Sequence, residues 1–174
     1  ITCVNDERVY QKATISWLQL QVPTGMKLEL VPVRGAVSMC SGYNEGMHSS
    51  DAKYKLYLHQ DMILMKEDIL AILVNHFKQC PQTGMIGLAG NPNWCENAIW
   101  WEDEARYMHV IHQGEGINKE HRYTVGEIRT EWQYMSMLDG LFLMTQYDLS
   151  WREDICHGWH FYDIAQCAEF QRQG

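Results

Sequence analysis

At 174 residues, 46% of them hydrophobic, the chain has the size and composition of one globular domain with its own core. Its formal charge of −8 argues against a general nucleic-acid binder, which carries basic patches to displace counterions from phosphates, but leaves room for a small anionic ligand held locally by a cation. No apolar run reaches the length of a membrane span, because Lys66, Glu67 and Asp68 interrupt the longest candidate.

Ile1-Thr2-Cys3-Val4 is β-prone and predicts a buried strand feeding the polar loop Asn5-Asp6-Glu7. Val9 to Leu20 reads as a helix with Ile15, Leu18 and Trp17 as its candidate core face, followed by the turn Pro23-Thr24-Gly25. Lys27 to Val33 reads as a second strand closed by Arg34-Gly35, and Ala36 to Ser50 as a helix weakened by Gly42 and Gly46. In the third strand, Lys53 to Asp61, Tyr54, Leu56 and Leu58 alternate with Lys55 and Tyr57. A helix over Lys66 to Lys78 puts Ile69, Leu70, Leu73, Val74 and Phe77 on one face, with Glu67 and Asp68 in the first turn, where the helix dipole favours acids. Pro81 to Gly84 is a turn, and Met85 to Ala89 a fourth strand ending at Gly90-Asn91-Pro92. This alternation predicts an α/β fold, with a mostly parallel sheet and helices on both faces. Asn93 to Glu131 reads as irregular, an excursion over the C-terminal edge of the sheet. A strand returns at Met137 to Leu143, Ser150 to Trp159 reads as a loop, and Phe161 to Arg172 as a closing helix with Ile164, Cys167, Ala168 and Phe170 partly buried.

The six cysteines are scattered through apolar surroundings with no C-x-x-C pair, which predicts reduced thiols rather than a zinc or redox site. No signal peptide is legible, and the expected compartment is the cytoplasm. The chain opens on Ile1 inside a predicted strand, so we expect a single domain over residues 1–174, truncated at one or both ends.

The stretch most suggestive of chemistry is His59-Gln60-Asp61. Two side chains able to bind a metal stand at i and i+2 where a strand ends, and in α/β proteins that edge of the sheet is where ligands bind. The same spacing would suit two polar residues capping a strand in water.

Four stretches taken in order resemble a family 2 glycosyltransferase with the GT-A fold, and more narrowly the glycosyltransferase-like group in which H-Q-D replaces D-x-D. They are Val4-Asn5-Asp6-Glu7 with Tyr10 and Ser16; Arg34-Gly35-Ala36 through Asn44-Glu45-Gly46; Tyr57-Leu58-His59-Gln60-Asp61; and Leu138-Asp139-Gly140 through His160-Phe161-Tyr162-Asp163-Ile164 and Gly174. They span nearly the whole chain. One departure is that such families often continue the last motif as D-x-D-L, whereas here Asp163 is followed by Ile164-Ala165-Gln166.

The resemblance implies transfer from a nucleotide-diphosphate sugar to a saccharide or other hydroxyl acceptor, with inversion. Asp61 would be the direct ligand of a divalent metal that neutralises the leaving diphosphate. His59 and His160 are further metal candidates, and His59 could instead bond a phosphate. An imidazole ligand would tilt preference from Mg²⁺ toward Mn²⁺. Asn5, Asp6, Glu7, Arg34 and Ser38 would form the base and ribose pocket; Asn44 would contact the nucleotide or cap its helix. Asp163 would deprotonate the acceptor, and Asp139 would contact donor or acceptor. Trp94, Trp100, Trp101 and Trp159 are candidate platforms for a sugar ring or ordinary packing residues, and His157 could reach the diphosphate. A non-catalytic sugar-nucleotide-binding module and a nucleotide-sugar hydrolase are the rival readings.

Overall fold

The computed structural model describes residues 1–113, 120–125 and 131–174, with residues 112, 113 and 120–125 described by their backbone. In chain order it runs β1 (Thr2–Val4), α1 (Glu7–Leu18), β2 (Pro32–Arg34), α2 (Met39–His48), β3 (Lys55–Leu58), α3 (Ile69–Gln79), β4 (Met85–Gly87), β5 (Ala89–Asn91), β6 (Tyr107–Gln113), β7 (Glu120–Val125), β8 (Met137–Leu138), β9 (Phe142–Thr145) and α4 (Tyr162–Gln173).

The fold is a mixed α/β arrangement, but the expected mostly parallel sheet is corrected. Among the described residues the strands form three small sheets, ordered β1-β2, β3-β9-β4 and β7-β6-β5-β8. Only the β1–β2 ladder is parallel, and every other ladder is antiparallel. The physical reason is β9. It returns from the C-terminal third of the chain and enters antiparallel between β3 and β4, with Leu58 opposite Phe142 and Met85 opposite Thr145. Two backbone bonds, Ile1 N to Leu56 O and Leu58 N to Ile1 O, bring β1 alongside β3.

Helices cover both faces of this strand set. Leu58, Phe142 and Met144 pack with Tyr10, Ala13 and Trp17 of α1 and Leu70, Leu73, Val74 and Phe77 of α3. Their neighbours Tyr57 and Leu143 pack on the opposite side with Met39, Cys40 and Tyr43 of α2 and Tyr162 and Cys167 of α4. This follows from the strand's period of two, which sends successive side chains to opposite faces. Lys55 points into this interior as well and is only 4% exposed. Its ammonium is paired with Asp148 at 2.8 Å and with the Ala52 carbonyl, as a buried cation requires.

Several expected elements shift. α1 starts at Glu7, because the Asp6 side chain accepts from the N–H groups of Arg8 and Val9 and caps the helix there. Its buried stripe is Tyr10, Ala13 and Trp17, whereas Ile15 and Leu18, expected inside, are 62% and 69% exposed. β2 shrinks to three residues at Pro32–Arg34. α3 begins only at Ile69, so Glu67 and Asp68 precede the helix instead of filling its first turn. The single late strand expected over Met137–Leu143 is two, β8 and β9, separated by a turn at Asp139-Gly140-Leu141. The region expected to be irregular contains the β6–β7 hairpin; residues 114–119 and 126–130 of it lie outside the described residues. All six cysteines are free thiols, and no helix among the described residues is long and apolar enough to cross a membrane.

α2 is anchored by two devices. Ser38 caps it in a reciprocal capping box with Ser41. Asn44, in mid-helix rather than at a cap, donates from Nδ2 to the Trp151 carbonyl at 2.9 Å and accepts the Trp151 N–H on Oδ1 at 2.8 Å. It thereby pins the loop that leads to α4. Asn44→Ala strands both buried backbone groups, and urea unfolding should show a loss of about 1–3 kcal/mol.

Candidate active site

Three segments distant in sequence meet at one edge of the strand set. β3 ends at Leu58 and passes into His59-Gln60-Asp61; the turn Asp139-Gly140-Leu141 precedes β9; and α4 opens with Tyr162-Asp163. Antiparallel pairing of Leu58 with Phe142 puts the turn beside the end of β3, and the His59 N–H donates to the Leu141 carbonyl at 3.2 Å.

Both expected catalytic acids lie in this junction, and each is held by backbone. Asp163 Oδ2 accepts the Gly140 N–H and Oδ1 accepts its own helix's Ile164 N–H, both at 2.9 Å. Asp139 Oδ1 accepts the Leu141 N–H at 2.8 Å and Oδ2 accepts the Trp100 indole N–H at 3.0 Å. Burial, reinforced by the charge of Asp139, pushes the Asp163 carboxyl up to about 6, against the pull of the Ile164 and Gly140 N–H groups. A carboxylate in that range is ionised at neutral pH yet is a stronger base than an exposed aspartate.

Tyr162 joins this acid pair to the end of β3. Its hydroxyl lies 2.6 Å from His59 Nε2. It also fills the notch left by Gly140, where a Cβ would come within 2.0 Å of the hydroxyl oxygen. A side chain at position 140 would therefore displace the tyrosine. The preceding residue, Phe161, caps α4 in the left-handed region at φ 63° and is exposed. Such a backbone costs a bulky residue roughly 1–2 kcal/mol, and it sits where the chain swings the two site residues inward.

The second group of expected residues lies on the same edge, beyond β1 and β2. Gln60, the middle residue of H-Q-D, accepts the N–H groups of Asn5 and Asp6 on Oε1 at 3.0 and 3.1 Å, and its Nε2 donates to Asn5 Oδ1. It thus fastens the Asn5-Asp6-Glu7 loop to the end of β3. Glu7 and Arg34 form a two-pronged ion pair, Nε to Oε2 at 3.0 Å and Nη2 to Oε1 at 2.9 Å, which holds the exposed Glu7 carboxyl below its ordinary range. The Arg34 guanidinium also lies 5.8 Å from the Tyr10 ring centroid. The Asp6 carboxylate is occupied as the α1 cap, Ser38 as the α2 cap, and the Asn44 amide on Trp151.

Of the expected metal residues, Asp61 and His160 are exposed, while His59 is half-buried against Tyr162. Among the described residues no three His, Cys, Asp or Glu side chains are grouped to hold an ion, so His59, Asp61 and His160 do not form a protein cage. An ion at Asp61 would have one carboxylate from this segment and would need its other oxygen ligands from elsewhere, as Mg²⁺ and similar hard cations do at phosphate sites. Of the tryptophans, Trp100 is buried and spends its N–H on Asp139, whereas Trp94, Trp101 and Trp159 are exposed, as is His157. A cavity of about 1080 Å³ bounded by His76, Thr83, Leu88, Trp132 and Phe170 contains none of the carboxylates of this edge. The convergent polar groups, rather than that volume, mark the site.

Gln60, Tyr162 and Gly140 are members to which residue-by-residue reading assigned no role of their own, and Trp100, a candidate platform or packing residue, is a partner of Asp139 instead. For Gln60, Tyr162 and Gly140 the only cue was their place inside motifs already singled out.

Residues 1–174, the whole chain, match a family model described as a glycosyltransferase-like family. No curated protein matches the chain.

The raised carboxyl of Asp163 gives a signed prediction. Between about pH 4, the ordinary aspartate value, and about pH 6 the folded state binds this proton more tightly than the unfolded chain. The stability it supplies is full below that window and is lost as pH rises through it. In urea unfolding, wild type should lose about 2–3 kcal/mol relative to Asp163→Asn across the window.

Proposed function

We propose, since the chain belongs to the glycosyltransferase-like family, that it moves a sugar from a nucleotide-diphosphate donor to a hydroxyl acceptor by a single inverting displacement on a GT-A-type scaffold. The observation that carries this reading is the convergence of Asp163 and Asp139 with the His59-Gln60-Asp61 segment at one edge. A base, a second carboxylate and a phosphate-facing segment are the parts that such a transfer needs.

In the reaction the acceptor oxygen attacks the anomeric carbon while Asp163 takes its proton. The bond from that carbon to the diphosphate oxygen breaks, and its electron pair leaves with the diphosphate. The raised carboxyl of Asp163 suits the task, since a base poised near the working pH transfers protons best. Asp139, fixed by Trp100 and by its own turn, orients hydroxyls of the donor or acceptor. It also supplies a second carboxylate next to Asp163, so the absence of an acid at Ala165 does not leave the base alone. The loop fastened by Gln60 and the Glu7–Arg34 pair face the base and ribose. A divalent ion held by Asp61 and the donor's phosphates would supply Lewis-acid stabilisation of the leaving group. Whether Mn²⁺ or Mg²⁺ is preferred turns on whether a histidine joins the ligands.

Two measurements test this. Asp163→Asn should lower kcat by about 10²–10⁴ while nucleotide affinity holds; full turnover by the variant would remove Asp163 as the base. Thermal unfolding with Mn²⁺ or Mg²⁺ and a panel of nucleoside diphosphates should reveal a metal-dependent stabilisation, about 2.7 kcal/mol at a hundredfold excess over Kd. Asp61→Ala should abolish it. Donor cleavage at a rate indifferent to every acceptor would make the protein a hydrolase instead.

A further inference from the structure

We infer that the Tyr162 hydroxyl is a positioning group that fixes the proton of His59 on Nδ1, making His59 a hydrogen-bond donor to a diphosphate oxygen rather than a ligand of the metal. The phosphate part of this rests on the reading of the site as a nucleotide-diphosphate cleft; the tautomer does not.

Tyr162 is 4% exposed, with its ring set among Tyr43 and Trp151. Its hydroxyl has one hydrogen-bond partner among the described residues, His59 Nε2. A tyrosine hydroxyl keeps its proton at neutral pH. Were Nε2 also protonated, the ring would donate to the phenol oxygen and the phenol proton would be left buried without an acceptor. The arrangement that satisfies both groups has the phenol donating and Nε2 accepting. A neutral imidazole then carries its own proton on Nδ1. That nitrogen has no lone pair to offer a cation, but its N–H can donate to an anion. Gly140 holds the geometry, since any side chain there would meet the hydroxyl.

The result is a division of labour within three residues. Asp61, exposed and acceptor-only, takes the cation; His59 takes a phosphate oxygen; and Gln60 between them fastens the Asn5–Asp6 loop. The cation is left with oxygen ligands, which removes the imidazole that would favour Mn²⁺ over Mg²⁺.

The test is imidazole ¹⁵N NMR at a pH where His59 is neutral, with its resonances assigned from their disappearance in His59→Asn. Wild type should show the Nδ1–H tautomer. Tyr162→Phe keeps the ring in the core and removes only the hydroxyl, and should shift His59 toward the Nε2–H form. Titration with magnesium pyrophosphate should move the Nδ1 resonance and bind Tyr162→Phe about tenfold more weakly. An Nε2–H tautomer in wild type overturns the inference, and that spectrum decides even if Tyr162→Phe fails to fold. A tautomer unchanged in Tyr162→Phe, or pyrophosphate binding that leaves Nδ1 unmoved, overturns it as well. Absence of any pyrophosphate binding by a wild type in the Nδ1–H form would refute the phosphate role and the diphosphate-cleft reading together, and would leave the tautomer standing as a separate result.

Discussion

The pairing of Leu58 with Phe142 is the constraint on which the rest of the site depends. An antiparallel strand begins at the edge where its neighbour ends. Entry of β9 beside β3 therefore lays the turn Asp139-Gly140-Leu141 against His59, and β1 with β2 ends on the same side. Had β9 joined in parallel, its preceding turn would lie at the far edge and the two aspartates would face no part of H-Q-D. The loss of a uniformly parallel sheet is thus what assembles the site. A short ladder tolerates this because its residues are buried on both faces by α1 and α3 on one side and α2 and α4 on the other.

The site is held by small polar contacts anchored in an apolar block. Tyr43, Tyr57, Trp151 and Tyr162 pack with ring centroids about 5–6 Å apart, geometry in which aromatic pairs attract beyond their buried area. Asn44 ties Trp151 to α2, so the loop before α4 is fixed at its start, while the strained Phe161 marks its end. Between these points Arg152 and Cys156 are half-buried, while residues 153–155 and 157–160 are exposed. Under the proposed transfer, this packed floor would hold Asp163 in place while the exposed rim is left to meet an acceptor.

The sequence carried the elements more clearly than their partners. Helices with strong spacing, such as Leu70, Leu73, Val74 and Phe77, were legible because one stripe of a helix must be buried. The face of α1 was not: Ile15 and Leu18 are more apolar than Tyr10 and Ala13, but the Asp6 cap and the Trp17 N–H bond to the Met62 carbonyl turn the other side inward. The β6–β7 hairpin was missed because histidines and charges dilute the alternation over Tyr107–Gln113 and Glu120–Val125. The burial of Lys55 was not legible, because its partner, Asp148, lies 93 positions away. At the site, His59, Asp61, Asp139 and Asp163 were legible as motif residues. Their adjacency was not, since it is created by a strand pairing that no local pattern encodes.

The two aspartates have similar hydrogen-bonding, and burial together with the charge of Asp139 sets Asp163 apart. Each carboxylate receives two N–H donors. Those of Asp163 come from its own helix start and from the turn, so its position follows the packing of α4 on β8. Those of Asp139 come from its own turn and from the indole of buried Trp100. When two acids lie close in a partly dry site, the one whose charge is penalised most becomes the better proton acceptor, while its neighbour stays an acceptor of hydrogen bonds. Burial penalises Asp163, and Asp139 adds to that penalty. The charge on Asp139 therefore raises the affinity of Asp163 for a proton, which under the proposed transfer would help it take the one the acceptor gives up.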